Sequence, residues 1–266
     1  MLARRPNGKK LTVIHNYLPW LHLTENWIYN QVRYLPEEVE THIVCKSTIN
    51  LDQFALPNIH CLAETPARTY ICVLTHGLVK LRFSFRRHTA FLIWIANQKK
   101  ATIMHSHFGY TGWTYMGAAK QAGMKHVVTF YGVDVNRLPK ENPVWLKRYR
   151  KMFSSVDRVL CEGPHMADSI IKLGCPEQKV RIHHLGVRVD EIPYRPRQWK
   201  PTEPLRVFIA ASFREKKGIP YALEALGRLK ATIPLEITIV GDAGQNPAGR
   251  AEKEKIITTI EKYNLR

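Results

Sequence analysis

Cysteine is scarce and unpatterned: Cys45, Cys61, Cys72, Cys161 and Cys175 form no Cys-x-x-Cys pair and show no metal-ligand spacing. Their odd number and apolar neighbours exclude a disulfide framework and a zinc module, and suit reduced, mostly buried thiols. Long apolar runs are missing too. The longest, Ala90 to Ala96, falls far short of the roughly 20 residues that cross a bilayer. No secretory leader is legible, because MLARRPNGKK passes straight into a strand-like segment. These absences lead us to expect a cytoplasmic protein. With 45% hydrophobic and 23% charged residues, the 266-residue chain has a globular composition, which excludes disorder, collagen and coiled coil.

Acidic residues are absent from Thr65 to Val133, a stretch that holds Arg68, Lys80, Arg82, Arg86, Arg87, Lys99, Lys100, Lys120 and Lys125. Half of the net charge of +18 therefore sits in about a quarter of the chain. Within it, LVKLRFSFRRHTAFLIWI interleaves cations with Phe83, Phe85, Phe91 and Trp94, and WLKRYRKMF repeats the pattern around Lys147. One reading is a core face with solvated cations opposite. The other is an interfacial helix, in which Arg82, Arg86, Arg87 and Lys147 meet anionic lipid, each cation contributing on the order of 1 kcal/mol. The second reading predicts a peripheral protein at the inner face of the plasma membrane. No nucleic-acid motif accompanies the charge, so nucleic acid is not an expected partner.

Short β-branched runs alternate with helical stretches along the chain. Strands are expected at 11–15, 41–45, 102–105, 126–130, 158–161, 180–183, 206–210 and 236–240. Helices are expected at 25–34, 70–83, 89–98, 111–121, 144–153, 166–173, 220–231 and 250–263. Continuously apolar strands, most of them followed by a helix, predict a parallel sheet covered on both faces. Pro193, Pro196, Pro201 and Pro204 crowd into a polar stretch and stop regular structure. The expected organisation is a domain over 1–189, a Pro-rich linker over 190–204 and a second domain over 205–266. The last reads as unfinished, because two strands cannot close such a core.

In open α/β sheets, ligands bind beyond the C-terminal ends of strands. Those loops carry HSHFG at 105–109, TFYGVD at 129–134, HLGV at 184–187, FREKKG at 213–218 and IVGDAG at 239–244. The ordered series resembles family 4 glycosyltransferases of the bacterial exopolysaccharide or colanic-acid type, from about Leu11 to Arg266. The resemblance implies an α/β protein of GT-B type: one complete Rossmann-like domain and the first part of a second.

It further implies transfer of a glycosyl group from a nucleotide sugar to a lipid-linked or polysaccharide acceptor, with retention and with neither metal nor cofactor. Lys217, just before Gly218, occupies the place of the basic residue that meets the donor diphosphate. A compact cation suits that task. The family's arginine five residues earlier is Ser212 here, and Arg214 is the substitute from the same loop. Gly186, Gly218 and Gly241 fall at donor-side turns.

On the acceptor side, Tyr131 stands where the family usually has histidine, a change that implies an altered sugar or mechanism. Asp134 matches the family aspartate, as loop organiser or sugar ligand; alternatively it caps a helix ahead of Arg137. His107 is expected to face the cleft, with His105 buried. Together His107, Tyr131 and Asp134 form the expected catalytic group, and Thr24, Glu25 and Asn30 the acceptor-binding start of the first helix. Two glutamates with seven residues between them usually complete the donor site, and no such pair occurs in 205–266. The chain is thus expected to be inactive or incomplete as it stands. The alternative is a non-catalytic acceptor- or lipid-binding relic, or a subunit requiring a separate donor-binding partner.

Overall fold

A computed structural model describes residues 10–66, 85–245 and 247–265. The chain divides into two compact units, Met1–Arg188 and Val189–Arg266. The first is built on β1 (Leu11–Asn16), β2 (Val39–Cys45), β3 (Ile59–Cys61), β4 (Ile103–His107), β5 (Lys125–Thr129), β6 (Arg158–Cys161) and β7 (Val180–Ile182). All pairings are parallel, in the order β3-β2-β1-β4-β5-β6-β7. Its helices are α1 (Asn26–Arg33), α2 (Leu51–Phe54), α3 (Phe85–Lys99), α4 (Gly109–Gln121), α5 (Leu138–Glu141), α6 (Val144–Ser155) and α7 (Pro164–Lys172).

The apolar runs explain this layering. LTVIHN is buried from Thr12 onward, as a strand with helices on both sides must be. Ile14, Val44 and Met104 pack on one face against Phe91, Leu92 and Ile95 of α3 and Tyr115 of α4. Ile43 and Cys45 pack on the other against Ile28 and Val32 of α1. A third cluster joins Val128 and Val159 to Tyr149, Met152 and Phe153 of α6 and Ile170 of α7. At roughly 1.5–3 kcal/mol for each large side chain fully buried, these clusters hold the unit together. The cysteines at 45, 61, 161 and 175 are buried and unpaired.

The second unit contains β8 (Leu205–Ala210) and β9 (Leu235–Val240), a parallel pair, with α8 (Ile219–Leu229) and α9 (Pro247–Lys262). Phe213, Ile219, Leu223, Ala243 and Ile256 form its core. Segment 190–204 is exposed throughout and, past the 3-10 turn Val189–Glu191, holds neither helix nor strand.

Helix and strand bounds depart from the sequence expectations by a few residues. Helix α7 begins earlier, at Pro164, since proline is favoured in a first turn where its missing N–H costs nothing. The three-residue β3 was not expected, being too short to show a pattern. The helix expected at 70–83 lies outside the described residues. No described helix is long and apolar enough to cross a membrane.

Candidate functional site

The order of the sheet reverses between β1 and β4, the switch point where ligands of open α/β sheets bind. His107, Tyr131 and Asp134 gather at the C-terminal ends of β4 and β5. Here the structure corrects one expectation. Strand β4 does not end at His105; its ladder with β5 continues to His107↔Thr129, and the Phe108 N–H still bonds the Thr129 carbonyl. His107 is consequently fully buried, while His105 is the half-buried one. The turn comes at Phe108, whose φ of 71° is unusual for a residue with a side chain.

The His107 Nδ1 lies 2.6 Å from the Tyr131 hydroxyl, and its Nε2 lies 3.2 Å from His15 Nδ1. The His107 and Tyr131 rings are stacked at an interplanar angle of 10°. His105 Nε2 bonds Thr129 Oγ1 at 2.6 Å. Burial pushes the His15 imidazole down to about 4 and holds His105 and His107 well below their ordinary value, so all three are neutral. Burial likewise pushes the Tyr131 hydroxyl up, so it keeps its proton. His15, His105 and His107 each bring a ring nitrogen within 4.8 Å of the others, a spacing compatible with a metal ion. Direct His15–His107 and His105–Thr129 bonds already engage those rings.

Asp134 is completely buried and fastens two loops. Its Oδ2 accepts the Gly109 N–H at 2.7 Å, and its Oδ1 accepts the N–H groups of Tyr131 and Gly132 at 3.0 and 3.1 Å. Of the alternatives read from sequence, this geometry is that of a loop organiser. It caps a helix as well, but that helix is α4, opened by Gly109; the turn ahead of Arg137 starts at Gly132, and Arg137 pairs with Glu141 at 2.6 Å. Burial raises the Asp134 carboxyl to about 6 against the opposing pull of those N–H bonds. Gly109 has no room for a side chain, since a Cβ there would lie 2.3 Å from the Phe130 ring.

Of the acceptor-side residues, Glu25 reaches the site through Tyr17, whose hydroxyl donates to Glu25 Oε1 at 2.6 Å and whose ring stands edge-on to His107. Thr24 is exposed, and the Asn30 carbonyl serves the N–H of Tyr34 in the last turn of α1. The side chains of α1 that meet Tyr131 are two the sequence did not single out. The Trp27 ring lies 4.1 Å from it, centroid to centroid, and Gln31 Nε2 donates to its hydroxyl at 3.4 Å. Their one-turn spacing was visible, but their partner lies 100 residues away. Beside the site, Tyr110, Trp113 and Thr114 of α4 face Leu138, Trp145 and Arg148 across a pocket of about 640 Å³. The Arg148 guanidinium sits 4.7 Å from the centre of the Trp145 ring.

In the second unit, the β8–α8 loop carries Ser212, half-buried, and Arg214 and Lys217, both exposed, the last in the 3-10 turn Glu215–Lys217. Gly218 follows at φ 66°, a left-handed conformation that glycine adopts without strain. Gly241 is required for close approach, because a Cβ would lie 2.0 Å from the Ala211 carbonyl oxygen. Gly186, in the first unit, is exposed. Of the membrane-patch residues, Arg87 of α3 and Lys147 of α6 are exposed, Arg86 belongs to α3, and Arg82 lies outside the described residues.

Residues 24–191 match the family model described as Glycosyltransferase Family 4. The amylovoran biosynthesis glycosyltransferase AmsK of Erwinia amylovora is 30% identical over 153 residues, 55% of this chain and 37% of that protein. The chain spans about two fifths of the length of the curated relatives it matches. Among solved structures, a glycosyltransferase from Rickettsia africae aligns with a TM-score of 0.63 at 15% identity, covering 96% of this chain and 66% of that one. Anabaena Alr3699/HepE in complex with UDP aligns at 0.68 and 10% identity, with the same coverages. At such identities the structural likeness speaks for fold, which is α/β of GT-B type as the motifs implied.

Proposed function

The chain belongs to glycosyltransferase family 4, and from that premise we propose that it serves exopolysaccharide assembly by transferring a hexosyl group from a nucleotide sugar to a lipid-linked or polysaccharide acceptor. The observation that carries this reading is the convergence of His107, Tyr131 and Asp134 at the switch point of the sheet. Tyr131 offers a hydroxyl to the transferred sugar, and Asp134 holds the two loops that frame it. Lys217, Arg214 and the Ser212 hydroxyl face the donor diphosphate, with Gly218 and Gly241 letting backbone approach. Charge that builds on the departing diphosphate is met by these cations. The diphosphate can then accept the acceptor's proton on the same face, which retains configuration without a metal. The UDP complex of the Anabaena protein supports a nucleoside diphosphate as leaving group.

Acceptor groups approach Thr24, Glu25 and Asn30. The pocket of Trp113, Trp145 and Arg148, aromatic with one cation and no carboxylate, supports an acceptor with an apolar tail and a phosphate. Arg87 and Lys147 support contact with an anionic membrane; sedimentation with anionic vesicles that survives charge reversal at both removes that part of the reading.

The deciding experiment incubates the chain with UDP-hexoses and a prenyl-phosphate acceptor. With no glutamate pair in 205–266 to complete the donor site, transfer or donor hydrolysis is expected to be weak, and Lys217→Ala is expected to lower it by about a further hundredfold with thermal unfolding unchanged. Equal rates remove Lys217 from the mechanism. Silence from the unmodified chain favours the non-catalytic, acceptor-binding reading.

A further inference from the structure

The mechanism above uses Tyr131 but leaves two buried imidazoles behind it without a role. His15, His107 and Tyr131 form one continuous hydrogen-bonded row, with heavy-atom separations of 3.2 and 2.6 Å. Each neutral ring holds one proton, so the row has two self-consistent directions. In one, the Tyr131 hydroxyl donates to His107 Nδ1, His107 Nε2–H donates to His15 Nδ1, and His15 is left with an Nε2–H. In the other, His15 Nδ1–H donates to His107 Nε2 and His107 Nδ1–H donates to the Tyr131 oxygen. His15 Nε2 is then a bare acceptor.

The surroundings of His15 distinguish the two. Its Nε2 is buried and has no hydrogen-bond partner. An orphaned buried N–H is rarer in proteins than an under-used acceptor, because the donor's whole desolvation cost goes uncompensated. The second direction avoids that donor. It also fills both acceptor directions of the Tyr131 oxygen, one from His107 and one from Gln31 Nε2 at 3.4 Å. A hydroxyl so occupied meets anything further only as a donor.

We infer that His15 and His107 are positioning residues that fix the hydrogen-bond direction of Tyr131, so that the tyrosine presents its proton to a ligand hydroxyl and never to the protein interior behind it. The identity of that ligand as a sugar rests on the proposed transfer reading; the direction of the row does not.

Long-range proton–nitrogen correlation spectra of the nitrogen-15-labelled chain near neutral pH read the two rings directly. Protonated Nδ1 and bare Nε2 are expected at both His15 and His107. A protonated Nε2 on either ring overturns the inference, and so does stoichiometric binding of added zinc, which would claim the same nitrogens. In His15→Asn, whose amide can donate from the position of Nδ1, His107 keeps its Nδ1 proton. In His15→Leu, His107 becomes a mixture of tautomers; an unchanged His107 in that variant sinks the proposal. Where the chain transfers sugar, His15→Leu is expected to lower kcat about tenfold with KM held, and His15→Asn to restore it. A chain without transfer activity counts against the proposed function, while the spectra still decide the direction of the row.

Discussion

In the first unit, β4 runs between β1 and β5 under helices on both sides, and even its histidines are half-buried or fully buried. In the second unit, β8 and β9 alternate strictly: Leu205, Val207 and Ile209 turn toward the helices, while Phe208 and Val240 stand 68% and 53% exposed. Both are parallel βα structures of similar strand chemistry, so the difference lies in coverage. A sheet screened on both faces can keep imidazoles dry and neutral; a sheet screened on one face offers no such environment. The histidines follow suit, for all 12 fall between His15 and His184, and none belongs to the second unit.

Acid gives the widest separation of the two units. His15, His60, His88 and His126 are each held down to about 4 by burial, and His105 and His107 well below 6.5. A base whose folded pKa is depressed contributes stability that is present above its unfolded value and lost as pH falls through the folded one. The window therefore runs from about 6.5 down to about 4. Asp134 works in the opposite sense, since its raised value of about 6 contributes stability present below the ordinary carboxylate range and lost as pH rises through 6. One carboxylate does not offset six imidazoles. At about 1.4 kcal/mol per pKa unit, the first unit is expected to lose several kcal/mol between about pH 7 and about pH 5, and the second very little. Urea unfolding read by peptide-resolved hydrogen exchange measures both; equal acid sensitivity would erase the distinction.

Leu223→Ala reverses the asymmetry. Leu223 is fully buried among Phe213, Ile219, Ala243 and Ile256, and its truncation should cost about 2–5 kcal/mol. Exchange should rise across β8, β9, α8 and α9 while β1 to β7 keep their protection. Loss of protection in the first unit as well would show that the two do not unfold separately.

Gly109→Ala probes the site within the first unit. The added methyl meets the buried Phe130 ring, and a loss of about 1–3 kcal/mol is expected. Gly117→Ala, on the exposed side of the same helix with open space around it, should instead gain up to about 1 kcal/mol. Matching urea midpoints for the two variants would remove steric closeness as the reason for glycine at 109.

The parallel architecture was legible because its strands are continuous apolar runs, a pattern that a half-solvated sheet does not produce. Short elements such as β3 and α2 carry too few residues for any period to show. His107 was misplaced for a physical reason: three polar residues ending a strand resemble a loop, and only the ladder to Thr129 reveals that pairing continues. Asp134 was found from its motif, but its attachment to Gly109 joins residues 25 apart. Gln31 drew no particular notice, because nothing local in its segment signals a partner just beyond another strand.

One carboxylate ties the crossover after β4 to the crossover after β5, so the two loops share a single anchor and shift together or not at all. Residue 131 is consequently an interchangeable fitting on a fixed mount. A side chain can be exchanged there without rerouting the backbone that carries it, because the N–H of residue 131 is what the carboxylate holds.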